Sequence, residues 1–223
     1  MRYAPSAPVR PAMWTCVLLV SNVLAVTALA IFEATRGQTL MREIAAMGGM
    51  PRESEGNPVV GAVTVFALLV LLATGIALTT AGSYLGWLWR ARQTIEVYGL
   101  TRPRFSRGWA IAVWFVPLVN LVLPPLIVHD VWRGSSSPRR LTLAPWLTLL
   151  TCWWASCLVT VWTLVFSRGP LLTGTGHAQA ASVLVSALLC GATIWEITRA
   201  QQMTTDSTVR LDVPAGAGRR GLR

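Results

Sequence analysis

Lysine is absent from this chain. All 19 basic residues are arginine, set against 9 acidic ones, for a formal charge of +10. Arginine alone, beside plentiful alanine, glycine and leucine, reads as the codon usage of a GC-rich genome. The arginines stand between and after apolar runs, which suits an anionic leaflet rather than a basic groove for DNA or RNA. No nucleic-acid partner is expected. Charge of either sign is also scarce: 13% of the 223 residues carry one, where a soluble domain has about 25%.

Other absences narrow the field further. Strand-like alternation is missing, which argues against a β-barrel. The four cysteines (Cys16, Cys152, Cys157 and Cys190) all fall inside apolar runs without CxxC spacing. They therefore read as small packing residues rather than a disulfide framework or a metal ribbon. No HExxH, nucleophile elbow or phosphate-binding glycine loop is present. His129 and His177 are expected on opposite membrane faces, too far apart to share a metal. The sequence thus predicts no catalytic residue, no metal, no cofactor and no enzyme activity. The helix cores hold no ionisable residue and no inverted repeat is visible, which argues against a proton-coupled transporter.

What is present is apolar length. A spanning helix needs about 20 apolar residues. Four uncharged runs supply them: Met13 to Phe32, Val59 to Trp89, Leu141 to Phe166 and Gly169 to Trp195. The expected organisation is a disordered tail over 1–12, a membrane domain over 13–199 and a disordered basic tail over 200–223. Within the domain, helices are expected at about 13–32, 59–98, 145–166 and 178–199, with a fifth, non-crossing segment at 108–131. A polar loop is expected from Glu33 to Pro58. Ala28-Leu29-Ala30 resembles a signal-cleavage site, but the run continues to Phe32 and reads as an uncleaved first helix. Small residues form stripes on the second helix (Ala73, Ala77, Ala81; Gly82, Gly86) and on the last (Ala178, Ser182, Ser186, Cys190). Such stripes let helices approach closely, either within the chain or between two copies.

The fifth apolar segment, Gly108 to Arg133, is interrupted by Pro117, Pro124 and Pro125 and flanked by Arg102, Arg104, Arg107, Arg133, Arg139 and Arg140. Cytoplasmic loops are enriched in arginine. If the segment crosses, the two sides carry eight and eleven arginines; if it does not, they carry fifteen and four. The second distribution obeys the rule. The prolines agree, because each removes a backbone donor and pushes the residue before it out of helical geometry. The fold expected is an all-α integral membrane protein: four transmembrane helices, both termini cytosolic, plus a Pro-broken segment that is re-entrant or interfacial.

Three stretches carry a resemblance: WLWRARQ (Trp87 to Gln93), RGWAIAVWFVPLVNLVLP (Arg107 to Pro124) and HDVWRGSS (His129 to Ser136). Together they resemble the domain-of-unknown-function family 4328, small multi-pass membrane proteins of bacteria, over about residues 60 to 200. The matching positions are Trp87, Arg90, Gly108, Trp109, Trp114, Phe115, Pro117, Asn120, Leu121, Pro124, Asp130, Trp132 and Arg133. Where that family tends to place an asparagine after the arginine pair, this chain has Thr94. The resemblance implies a bacterial plasma-membrane location and brings no activity with it.

Of these residues, Asn120 is the most suggestive. Its carboxamide either lines a polar site or satisfies backbone groups freed by the prolines, with Asn22 as a possible partner across the bundle. Arg90, Arg92, Asp130 and Arg133, with Glu96 and Glu196, are expected on the cytosolic rim. There they either clamp the broken segment or bind anionic lipid head groups. The function expected is an accessory or scaffold protein that binds a membrane-protein partner, a second copy or anionic lipid. The alternatives are a small channel or transporter built on the broken helix, and a membrane enzyme.

Overall fold

A computed structural model of the chain describes residues 7–46, 58–98, 104–135, 143–166, 173 and 175–212. Among them every regular element is helical. α1 (Val9–Phe32) continues through one π-helical turn, Glu33–Gly37, into α2 (Gln38–Ala46). α3 (Pro58–Tyr98) is the longest rod. The broken segment forms three short pieces: α4 (Arg107–Ala112), α5 (Pro117–Asn120) and α6 (Leu123–Ser135). α7 (Leu143–Phe166) and α8 (His177–Asp212) complete the chain. Four helices are long and apolar enough to cross a membrane: those containing α1, α3, α7 and α8. Leu71, Leu78, Leu24, Val159 and Leu188 stay exposed along them. In water such continuous apolar surface is unsupportable, while lipid is its natural cover.

Interhelical bonds fix the register. The Thr15 and Ser83 hydroxyls meet at 2.8 Å, and Thr80 Oγ1 donates to the Leu18 carbonyl at 3.2 Å. α1 therefore runs antiparallel to α3. Trp87 Nε1 donates to Thr198 Oγ1 and Gln201 Nε2 to the Ala91 carbonyl, so α3 and α8 run parallel. The Thr160 and Ser186 hydroxyls meet at 3.0 Å between antiparallel α7 and α8. Hydroxyls at such contacts satisfy themselves where no water can, and each contributes about 0.6 kcal/mol. The stripe on α8 thus packs within the chain through Ser186 and the buried Cys190. On α3 only Ala73 does so. Gly82 and Gly86 are exposed, and a Cβ built on either meets nothing within 4 Å. All four cysteines are free.

Helix ends depart from expectation in three places. α1 begins at Val9, within the stretch expected to be disordered, because Pro8 and Pro11 fall where a first turn needs no backbone donor. The polar loop expected from Glu33 is helical to Ala46. Its anchor is Glu33, fully buried, whose Oε1 accepts from the Thr173 amide at 3.0 Å and from the Thr173 hydroxyl. α8 runs on to Asp212 rather than ending at Arg199, since no glycine or proline intervenes before Pro214. Gln201 and Thr204 tie that extension to α3 and α6. The remaining tail residues, 1–6 and 213–223, lie outside the described residues.

The densest packing lies at one end, where α6 wedges between α3, α7 and α8. Trp87, Leu88, Ala91, Val113, Val128, Val131 and Ile197 are fully buried there. Gly134 permits the closest approach: a Cβ on it would stand 2.5 Å from Ile95 Cγ2, and Ile95 is itself buried. Gly134→Ala is expected to lower stability in detergent by about 1–3 kcal/mol through overpacking. Ile95→Val combined with it should recover part of the loss in the same unfolding assay. An unaffected single variant would show that α6 does not seat this tightly.

Candidate functional site

The residues singled out by sequence converge on the broken segment, which folds as a hairpin. Its two feet meet at one carboxylate. Asp130 Oδ2 accepts from the Arg104 amide at 3.0 Å and from Arg92 Nη1 at 3.3 Å. Arg92 Nη2 also donates to the Phe105 carbonyl. The segment therefore starts and finishes at the same end of the bundle, at the level of Arg92. Arg92 is only 2% exposed and Asp130 11%. Removing one partner of such a pair strands a buried charge.

Two helices act as rulers for the hairpin's height. On α3, Arg92 holds the feet and Tyr84 meets the Trp114 ring edge-on at 5.5 Å. On α7, Trp146 Nε1 donates to His129 Nδ1 at 3.0 Å, and Trp154 Nε1 donates to the Leu121 carbonyl at 2.9 Å. Each pair of marks is eight residues apart, about 12 Å along a helix. The hairpin thus climbs about 12 Å and turns around. The register of α1 and α8 brings the exposed Trp14 and Trp195 level with Tyr84, hence with the hairpin tip.

Its interruptions follow the prolines. Val116, ahead of Pro117, is extended at φ −100° and ψ 108°, and Pro117 opens α5. Pro125 has no N–H to offer the Leu121 carbonyl four residues earlier, and the Trp154 indole takes that place. Broken backbone in an apolar layer survives when a neighbouring helix supplies the missing partner. Asn120 does not do so: its amide donates to Val116 O at 2.8 Å, and its side-chain Oδ1 is buried with no partner. Asn22 Oδ1 is likewise unpartnered, so the expected bond between the two carboxamides is not formed.

The other motif residues divide by exposure. Trp87 is fully buried and Trp132 is 5% exposed, stacked on Trp146 at 4.8 Å and 5°. Pro124 is buried in the first turn of α6, and Trp114 packs edge-on against Trp154. Trp109 and Pro117 are exposed. Arg90 and Arg133 are exposed and take no part in the ion pair; Glu196 is exposed too. The clamp is therefore made by Arg92 and Asp130 without the wider charge network. Arg102, Arg139 and Arg140 lie outside the described residues. Thr94 turns its hydroxyl back to the Arg90 carbonyl at 3.1 Å. Beside it is a cavity of about 10 Å³, also lined by Gly134, Ser135 and Gln201. Gln201 Oε1 is buried there without a partner.

Residues 53–202 match the family described as domain of unknown function (DUF4328). The chain belongs to that family. No curated protein and no solved structure matches it. The DUF4328 match takes in α3 to α7 and α8 as far as Gln202, and leaves α1 outside. The hairpin, its Arg92–Asp130 base and the Trp154 and Gln201 contacts are thus all within the DUF4328 region.

Three outcomes are expected of this geometry. Asp130→Asn should cost about 3 kcal/mol by leaving Arg92 buried without its counter-charge. Replacing both residues, Arg92→Met with Asp130→Leu, should cost less than the single change. Trp154→Phe removes one bond to a buried carbonyl and should cost about 1–2 kcal/mol. Both are read by unfolding in detergent, and equal losses for the single and double charge variants would refute the clamp. The third concerns pH. Burial pushes the His129 imidazole below its ordinary value, and the Arg133 guanidinium lowers it further, against an opposing pull from the Asp130 carboxylate. Its Nδ1 accepts from Trp146 only when unprotonated there. A depressed histidine contributes stability above its unfolded pKa of 6.5 that is lost as pH falls through the folded value. Between pH 7.5 and 5 the unfolding temperature of the native chain should therefore fall further than that of His129→Gln.

Proposed function

We propose that this DUF4328 protein is a non-enzymatic accessory or scaffold protein of a bacterial plasma membrane, with both termini in the cytosol. Its cytosolic rim binds anionic lipid head groups and there presents the hairpin to a membrane-protein partner. The observation that carries this reading is one of position. Arg10, Arg90, Arg104, Arg133 and Arg199 are exposed, and the helix register brings them to the end where the hairpin has its feet. Exposed Trp14, Trp109 and Trp195 stand four or five residues from Arg10, Arg104 and Arg199. Tryptophan next to arginine is the signature of a helix end at the membrane–water boundary. Exposed arginines there attract anionic lipid at about 1 kcal/mol each.

On this reading the hairpin is interfacial. The bilayer is about 30 Å of hydrocarbon within about 40–45 Å overall, leaving about 5–8 Å of head-group layer on each side. A climb of about 12 Å fills that layer and enters only the first few ångströms of hydrocarbon. The exposed apolar tip, with Phe115 and Leu118, suits that depth. A second reading, a small channel or transporter, is favoured by one observation: the unpartnered, buried Asn120 Oδ1. It requires an oligomer, because the core beside the hairpin is filled by Trp87, Leu88 and Val113.

Two measurements test the proposal. In a cysteine-free background, Arg104→Cys and Arg133→Cys should react with a membrane-impermeant maleimide only after the cells are opened. Reaction of either from outside would overturn the orientation. Lipid that co-purifies with the native chain should be enriched in phosphatidylglycerol, and Arg90→Gln with Arg133→Gln should reduce that enrichment. Unchanged enrichment would overturn the head-group reading, and ion flux through liposomes bearing the protein would support the channel in its place.

A further inference from the structure

Away from the hairpin, on the opposite flank of α8, the membrane-level surface is not closed. A groove of about 260 Å³ opens between α1 and α8. Cys16, Val20 and Leu24 line one wall; Leu184, Leu188 and Gly191 line the other. These positions recur every three or four residues, so each wall is one continuous helix face. The lining is almost wholly apolar, and the groove starts about one turn above the level of Trp14 and Trp195. It therefore lies within the hydrocarbon of the leaflet that carries the arginines.

The faces continue below the groove. On α8 the spacing of Leu184, Leu188 and Gly191 leads on to Trp195 and Arg199, both exposed. Arg10, exposed in the first turn of α1, is level with Arg199 through the bonds that both helices make to α3. The lengths agree with one lipid molecule. From Arg199 to Leu184 is fifteen residues, about 22 Å along the helix, and half of a bilayer of about 40–45 Å is about 20–22 Å. The α1–α8 face thus presents, in order, a cation at phosphate depth, an indole at glycerol depth and an apolar slot at acyl-chain depth.

We propose that this face is a binding site for a single anionic phospholipid of the inner leaflet, with its phosphate at Arg199 and Arg10 and one acyl chain in the α1–α8 groove. The inference rests on the reading of the arginine-bearing end as the head-group level, and adds a site that the hairpin rim does not contain. Chain burial supplies affinity at about 0.8 kcal/mol per methylene, and the arginines supply preference for a negative head group. A lipid held this way would fill the seam between α1, outside the family match, and α8 within it.

Gly191 makes the test clean. A Cβ built on it meets nothing within 4 Å, so a larger side chain can occupy the groove without disturbing the helices. Native mass spectrometry of the full chain in mild detergent, titrated with phosphatidylglycerol and phosphatidylcholine of identical chains, reads the outcome. The native protein should retain one phosphatidylglycerol in preference to phosphatidylcholine. Gly191→Leu should weaken retention of both lipids at least tenfold while leaving the unfolding temperature unchanged. Arg199→Gln should bring the two lipids to within about twofold of each other, with the chain still held. Undiminished retention by Gly191→Leu, or by the smaller filler Ala187→Val beside it, overturns the groove. The rim is scored separately: loss of bulk phosphatidylglycerol enrichment in Arg90→Gln with Arg133→Gln, with the retained lipid unchanged in Gly191→Leu, sinks the groove and keeps the rim. Equal retention of both lipids by the native chain overturns the anionic assignment.

Discussion

A backbone that reverses direction at the edge of a hydrocarbon layer must find a partner for every amide and carbonyl it exposes. That constraint organises this molecule. The hairpin of α4 to α6 breaks three times, and each break is repaired by something outside it. Arg92 holds the Phe105 carbonyl, Asp130 receives the Arg104 amide, and Trp154 answers the Leu121 carbonyl. The long helices are conventional around this element. The family residues cluster where repairs are made, and the tightest packing of the protein, Gly134 on Ile95, sits beside them.

The same constraint separates the arginines into two populations. Arg92 is buried, monopolised by the hairpin, and cannot be spared for a ligand. Arg10, Arg90, Arg104, Arg133 and Arg199 keep their side chains exposed. One population builds the structure and the other faces head groups. Four residues away from two of them, Trp14 and Trp195 set the depth at which both populations operate.

Much of this was readable from residue order. Length and apolarity gave four spans, and the arginine distribution with three prolines gave a segment that returns to its own side. Which arginine does the clamping was not readable. Arg90 and Arg92 are two residues apart, some 200° around a helix at 3.6 residues per turn, and only the position of the neighbours says which faces inward. Trp154 escaped notice for a related reason: a tryptophan midway along a span reads as packing, and its indole N–H becomes informative only opposite a carbonyl that Pro125 has left bare. Asn120 drew attention through polarity and proximity to prolines, yet its carboxamide repairs nothing. Glu33 and Gln201 looked like members of a polar loop and a free tail. Their burial depends on Thr173 and Ser135, which are remote in the chain.

The partner of the Leu121 carbonyl is 33 residues downstream. During synthesis the hairpin leaves the ribosome before α7 exists, and its proline-opened turn has no indole to close it. Water at the head-group layer serves until then, so the half-made protein parks this element at the surface. α7 therefore does two things as it inserts: it adds a span, and it draws an already waiting hairpin against the bundle. Assembly of this fold is gated by the arrival of a tryptophan.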